Sequence, residues 1–193
     1  MRRLYRANQR HDAIAVLPHK GRLTCSRCRV PLRCQGCGPK VYVETSVISY
    51  LTARPSRDVV SLGHQQLTRD WWERARSEFD LFASRLVVAE AQLGNAEAAA
   101  ARLSVLEPMT LLVETAESRS LAERLLVAGA LPRKAASDAL HIAVAATHGM
   151  DYLVTWNCKH IANARMLRFV LDTCRTAGFE PPVICTPEEL SEE

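Results

Sequence analysis

ASDALHIAVAATHGMDYLVTWNCKHIAN, residues 136–163, is the stretch whose reading decides the fold. Its first half is a helix on apolar spacing, with Ser137 expected to cap Asp138-Ala139-Leu140-His141-Ile142-Ala143-Val144-Ala145-Ala146, and Gly149 stops it. Tyr152-Leu153-Val154-Thr155 follows as a short buried strand that ends at Trp156-Asn157. A helix feeding a strand through so short a connection is half of a β-α-β unit.

The same alternation extends to both sides. Upstream, Lys40-Val41-Tyr42-Val43 reads as a buried strand that ends at Glu44, with Thr45 or Ser46 expected to cap the helix begun by Val47, Ile48, Tyr50 and Leu51. Pro55 closes that helix. Gly63 is expected to interrupt the chain before an amphipathic helix, HQQLTRDWWERARSEF, whose tryptophans read as core. A second strand starts at Leu81, and Val87-Val88-Ala89-Glu90 is expected to open a helix running to about Gly94. Asn95 through Leu106 is helical, residues 109–113 form a third strand, and Ala116 to Ala128 is a helix ended by Gly129. Downstream, Arg165 to Thr176 is the last full helix, residues 181–185 an edge strand, and residues 187–190 a terminal turn.

Strands and helices in this order predict an α/β domain over residues 40–190, with three α/β/α layers and a mainly parallel central sheet. Polar chemistry in such sheets gathers at the carboxyl ends of the strands. Neither GxGxxG nor GxxxxGK[ST] occurs, which argues against dinucleotide and nucleoside-triphosphate enzymes; phosphate chemistry here requires a metal. A 48% hydrophobic content supplies a sizeable core, and no apolar run approaches the roughly 20 residues of a membrane span. With no signal-peptide pattern, the expected location is the cytoplasm.

Residues 1–39 read differently. The net charge of +4 divides into +9 for residues 1–40 and −5 for the remainder, so the basic character belongs to the amino-terminal arm. Two CxxC pairs, Cys25/Cys28 and Cys34/Cys37, have the local spacing by which thiolates chelate zinc, but only five residues separate them, where zinc ribbons place a longer hairpin. The arm is therefore read as poorly structured, or as an extension from a start codon set too far upstream, with a small zinc knuckle as the alternative. Cys158, Cys174 and Cys185 are expected to be reduced and mostly buried, with Cys158 packing inward.

Three acids stand out by position: Glu44 after the first strand, Glu90 at an expected helix start after the second, and Asp138 at the amino terminus of the quoted helix. One helix-start acid has an ordinary explanation, because its charge complements the macrodipole. Three along one sheet edge are harder to dismiss.

VYVETSVISYL, then VVAEA, then ASDALHIAVAATHGMDYLVTWNCKHIAN resembles the successive motifs of PIN-domain nucleases, most closely the VapC-type toxins. The resemblance spans about residues 40–190 and is most specific from Asp138 through Asn163. It implies a site in which Glu44, Glu90 and Asp138 hold a divalent cation, Mg2+ or Mn2+, while Asn157 supplies a neutral fourth position and Thr45, Ser46 and Thr155 lie beside it. The family's usual first residue is aspartate, so Glu44 departs by one methylene. The resemblance also implies RNA cleavage to a 5′-phosphate and a 3′-hydroxyl, a small antitoxin partner and often a homodimer. Independently of the family, hard carboxylate oxygens suit magnesium or manganese, which bind phosphate oxygens and can activate a water as nucleophile.

Neighbouring residues carry weaker readings. His141 is expected to be a buried, hydrogen-bonded histidine and is left outside the catalytic set. His160, beside Lys159, either meets RNA phosphates or caps a turn. Arg54, Arg57 and Arg69 either rim the site or form solvated surface. The aromatic content of 6% is too low to suggest a base-stacking platform. The leading functional expectation is a metal-dependent endoribonuclease acting as the toxin of a toxin–antitoxin pair. Its alternatives are a catalytically weak PIN-like module that binds RNA or protein, and a PIN nuclease of RNA processing.

Overall fold

In the computed structural model the residues described are 38–191, together with residues 18–19 and 22–23. The chain divides into two units, Met1–Gly38 and Pro39–Glu193. In the first, β1 (Pro18–His19) pairs antiparallel with β2 (Arg22–Leu23). Cys25, Cys28, Cys34 and Cys37, with the zinc reading attached to them, lie outside the described residues.

The second unit is built around β3 (Lys40–Val43), whose Val41, Tyr42 and Val43 are completely buried. β-Branched and aromatic side chains on consecutive positions suit a strand covered on both faces, the environment of a central parallel strand. The chain then runs through α1 (Thr45–Thr52), α2 (Val59–Glu78), β4 (Asp80–Ser84), α3 (Arg85–Ala91), α4 (Ala96–Leu106), β5 (Thr110–Leu112), α5 (Ala116–Val127), α6 (Ala136–Thr147), β6 (Tyr152–Val154), α7 (Ala164–Thr176) and β7 (Val183–Cys185). The five strands are ordered β5-β4-β3-β6-β7 and every pairing is parallel. α1 packs against α2, α3 and α4, and α5 packs against α6 and α7. Strand order reverses direction at β3, so right-handed crossovers send these two helix groups to opposite faces. The result is the expected three-layer α/β domain.

The reversal also locates the crevice. β4 lies on one side of β3 and β6 on the other, and the opening between β3 and β6 at their carboxyl ends is the switch point where ligands of such sheets bind. Val43 is in register with Val154, so the next residues, Glu44 and Thr155, emerge side by side, and the Glu44 amide donates to the Val154 carbonyl at 3.0 Å.

Several helix starts differ from the sequence expectation. α2 begins at Val59 and passes through Gly63, because the Asp58 carboxylate caps it by accepting from the Ser61 amide at 2.8 Å. An exposed helical glycine costs about 1 kcal/mol against alanine, too little to stop a helix so anchored. α3 begins at Arg85 under a cap from Ser84, which places Glu90 more than a turn inside the helix rather than at its start. Its charge is therefore not explained by the macrodipole. Neither Thr45 nor Ser46 caps α1, where Glu44 holds the cap position without a side-chain bond, and Ser137 does not cap α6, which begins at Ala136. In each case the hydroxyl is engaged by a carboxylate instead. Gly149, at φ 62°, ends α6 as expected.

Trp71 is core, as read, and Cys174 and Cys185 are buried. Cys158 is exposed, against expectation, because it sits in the polar turn after β6 and not on a strand or helix face. No helix among the described residues is long and apolar enough to cross a membrane.

Candidate functional site

Glu44 leaves β3 at the switch-point crevice and is buried, with 6% of its surface exposed. A buried carboxylate needs donors, and here they are hydroxyls: Thr155 donates to Oε2 at 2.7 Å and Ser46 donates to the same oxygen. Ser46 also accepts the Trp156 amide at 2.8 Å, and Thr155 accepts the Asn157 amide at 2.9 Å. The added methylene of Glu44, relative to the aspartate usual in the resembled family, is thus absorbed by a cradle from α1 and the β6 turn.

Glu90 reaches the same place from α3. Thr45 donates to its Oε2, Ser137 donates to its Oε1, and the ring Nε2 of His141 lies 3.0 Å from Oε2. The same ring nitrogen is 4.0 Å from Glu44 Oε1. Burial opposes ionisation of Glu90, but the hydrogen bond and charge of His141, with the bonds from Ser137 and Thr45, outweigh it and hold the carboxyl at about 2. Glu90 is an anion at neutral pH.

One ligand atom each from Glu44, Glu90 and His141 lies within 4.8 Å of the others, a donor set that can hold a divalent cation. Hard carboxylate oxygens suit magnesium and manganese, and the imidazole is a competent third donor. Charge points the same way. The carboxylates meet hydroxyls and one imidazole, and among the described residues no lysine or arginine pairs with either.

Asp138, the third acid, is held differently. In the first turn of α6, its Oδ1 accepts from the Asn157 amide group at 2.8 Å and its Oδ2 lies 2.7 Å from His160 Nδ1. The Asn157 carbonyl oxygen in turn accepts the His160 amide at 3.1 Å. Asp138 and Asn157 are therefore together, Glu44 and Glu90 are together, and two links join the pairs: Ser137 beside Asp138 donates to Glu90, and Thr155 joins Glu44 to the Asn157 backbone.

Two histidines were undervalued by the sequence reading. His141 is buried and hydrogen-bonded, as expected, but its partners are Glu90 and the Tyr42 hydroxyl, 2.8 Å from Nδ1, which makes it part of the cluster. His160 neither caps a turn with its ring nor stands free for phosphate; it binds Asp138. The i, i+3 spacing of Asp138 and His141 was the available signal for the first. The arginines divide: Arg54 forms an exposed pair with Glu97 at 2.9 Å, Arg69 donates to the Ala53 carbonyl at 3.0 Å, and Arg57 is exposed.

No protein-family profile matches the sequence, and no curated protein shows a sequence match to it. Solved structures do match. The VapBC2 structure of Rickettsia felis, bound to a DNA fragment from their promoter, aligns at a TM-score of 0.51 and 14% identity over 76% of this chain and 98% of that one. The fold is the PIN fold of VapC-type proteins. A second PIN-fold structure, the Mycobacterium tuberculosis VapC20, described as a sarcin–ricin loop cleaving toxin, aligns at a TM-score of 0.49 and 20% identity, covering 64% of this chain and 95% of that one. Within the PIN fold of this chain, the crevice between β3 and β6 is where the acids stand.

Proposed function

We propose that this protein is a metal-dependent ribonuclease that hydrolyses RNA phosphodiester bonds at the Glu44, Glu90, Asp138 and Asn157 cluster, and that it acts as the toxin of a toxin–antitoxin pair. The observation that carries the reading is the Glu44–Glu90 pair: two carboxylates gathered with His141 within 4.8 Å, one of them buried, with no lysine or arginine paired to either among the described residues. Such an arrangement is costly without a cation and ordinary with one.

Glu44 and Glu90 would hold the ion, with His141 in reach, and Asp138, linked to Glu90 through its neighbour Ser137, would complete the site. Mg2+ or Mn2+ fits the oxygens, and the imidazole tilts the preference toward Mn2+. The bound ion would supply a water of lowered pKa and neutralise charge on the phosphate. The chain's own residues do the positioning. Thr45 and Ser137 fix Glu90, Ser46 and Thr155 fix Glu44, and Asn157 and His160 fix Asp138. Exposed Arg133 and Lys134 precede α6 and exposed Lys159 follows Asn157, so cations flank the acids on an otherwise acidic body and would receive the RNA backbone.

The Rickettsia felis structure supports a partner protein in the same reading, since it contains VapBC2 on promoter DNA. The same reading carries a small antitoxin that blocks the acidic crevice, and with it the proposal extends to a homodimer and a cytoplasmic location. A second reading, a module that binds RNA or protein without cutting, is favoured by Asp138, whose two oxygens are both engaged by Asn157 and His160. Sequencing of RNA 5′ ends after induction of the wild-type protein beside Asp138→Ala separates the two. New ends and growth arrest with the wild type alone support the toxin; new ends without arrest indicate an RNA-processing nuclease; identical end profiles contradict the nuclease.

A further inference from the structure

We propose that Trp156, His64 and Tyr50 form a stacking platform for an unpaired RNA nucleobase adjoining the scissile phosphate. This rests on the ribonuclease reading and adds where a substrate base is held. The imidazole of His64 lies flat on Trp156, with ring centroids 4.1 Å apart and planes 18° from parallel. Tyr50 meets both edge-on, at 5.6 Å from His64 and 6.0 Å from Trp156. The three residues come from α2, the turn after β6 and α1, so sequence content gives no hint of the cluster; folding assembles it.

Packing alone would bury such rings, as it buries Trp71. All three residues here are instead partly exposed. The platform is also locked before any ligand arrives. Trp156 Nε1 donates to Thr68 Oγ1 at 2.7 Å, and that hydroxyl donates to the His64 carbonyl at 2.6 Å. The Trp156 amide donates to Ser46 Oγ, and Ser46 donates to Glu44, so the stack and the acidic crevice share a hydroxyl. Tyr50 follows Ser46 by one turn of α1, a rise of about 6 Å, and Asn157, which holds Asp138, directly follows Trp156.

A cavity of about 330 Å³ continues from Tyr50 and is lined by Ser49, Arg54, Ser56 and Ser61. That is at the small end of ligand pockets, suited to one nucleoside rather than a helix. Exposed Arg57 and Arg54 stand at this end, and the Arg54–Glu97 pair is so open to solvent that a phosphate can compete for it. Flat rings bound by hydroxyls and arginines, continuous with a phosphodiester-cutting crevice, fit a splayed single-stranded nucleotide.

The test uses the full chain carrying Asp138→Ala, so that binding is read without cleavage. Affinity is measured by fluorescence anisotropy for a labelled oligouridylate and for the same strand with one abasic residue at successive positions. One abasic position should weaken binding about tenfold, the scale of losing one base–aromatic stack. Trp156→Leu and His64→Leu should weaken the intact strand by a similar factor and abolish the abasic effect, while Trp156→Phe keeps most of both. Folded Trp156→Leu and His64→Leu proteins that bind like the parent, or an abasic scan without a sensitive position, would overturn the platform while leaving the nuclease reading intact. If the leucine variants do not fold, the abasic scan on the unaltered platform still decides. Absence of RNA binding by the parent overturns both.

Discussion

His141 Nε2 stands 3.0 Å from Glu90 Oε2, and this contact is one end of a buried hydrogen-bond chain that reaches back to β4. With no cation bound, an ionised carboxylate only accepts, so Nε2 carries a proton there, one that a cation held through Nε2 would displace. Nδ1 lies 2.8 Å from the Tyr42 hydroxyl, which donates to it where the imidazole is neutral and accepts from it where both ring nitrogens carry protons. Burial pushes the Tyr42 phenol far up, so that it keeps its proton. The Ser84 hydroxyl is hydrogen-bonded to the phenol oxygen at 2.7 Å and accepts the Val87 amide at 3.3 Å. Glu90 is thereby aimed by residues from α6, β3 and β4 together.

Tyr42→Phe removes the middle of this chain and takes from the buried Nδ1 its hydrogen bond to the phenol. The expected cost is about 1–3 kcal/mol of stability, read by urea unfolding. A change of only a few tenths would show that the chain does not constrain His141.

The Glu90 carboxyl is held at about 2, below its ordinary 4.5. A depressed acid adds stability that is fully present above the unfolded value and is lost as pH falls through the folded one. The stability gap between wild type and Glu90→Gln should therefore be constant above about pH 5 and shrink between about pH 4.5 and 2. Paired denaturation curves at neutral and acid pH check it; a gap independent of pH down to 2 would mean that Glu90 is not selectively stabilised as an anion.

Glu44→Gln removes one of two adjacent negative charges. Without metal the variant should be more stable than the parent, by about 1 kcal/mol or ~2–4 °C in Tm. With Mn2+ the order should reverse, because the parent gains ligand-linked stability and the variant gains little. Thermal melts with and without Mn2+ test this, and an equal Mn2+ shift in both proteins would remove Glu44 from the metal set.

The His160 ring bonds Asp138, so His160→Ala should slow cleavage about 10- to 100-fold with little loss of stability. Cleavage at the parental rate would make the contact incidental.

Much of this was legible in the chain. Val41–Val43 and residues 136–163 carry the strand and helix periods plainly, because parallel strands buried on both faces leave continuous apolar runs. Glu44 and Glu90 could be picked out by their places after strands, and Asp138 by its place at the amino terminus of a helix. The caps were less legible: Ser84 and Asp58 start helices earlier than the apolar pattern suggests, which moved Glu90 from an expected helix start to the last turn of α3. Ser137, Thr45 and Ser46 look like caps locally but bind carboxylates that only the fold brings near. The stack of His64 on Trp156 joins residues 92 positions apart and has no local signature at all.

The most direct measurement is the single-turnover rate of cleavage of an end-labelled structured RNA in Mn2+, for the parent and for Asp138→Ala, each beside a chelated control. The account predicts cutting by the parent that the chelator abolishes and a loss of at least about a thousandfold in the variant, the scale of removing a principal transition-state contact. Cutting that survives chelation, or equal rates for parent and Asp138→Ala, would contradict it.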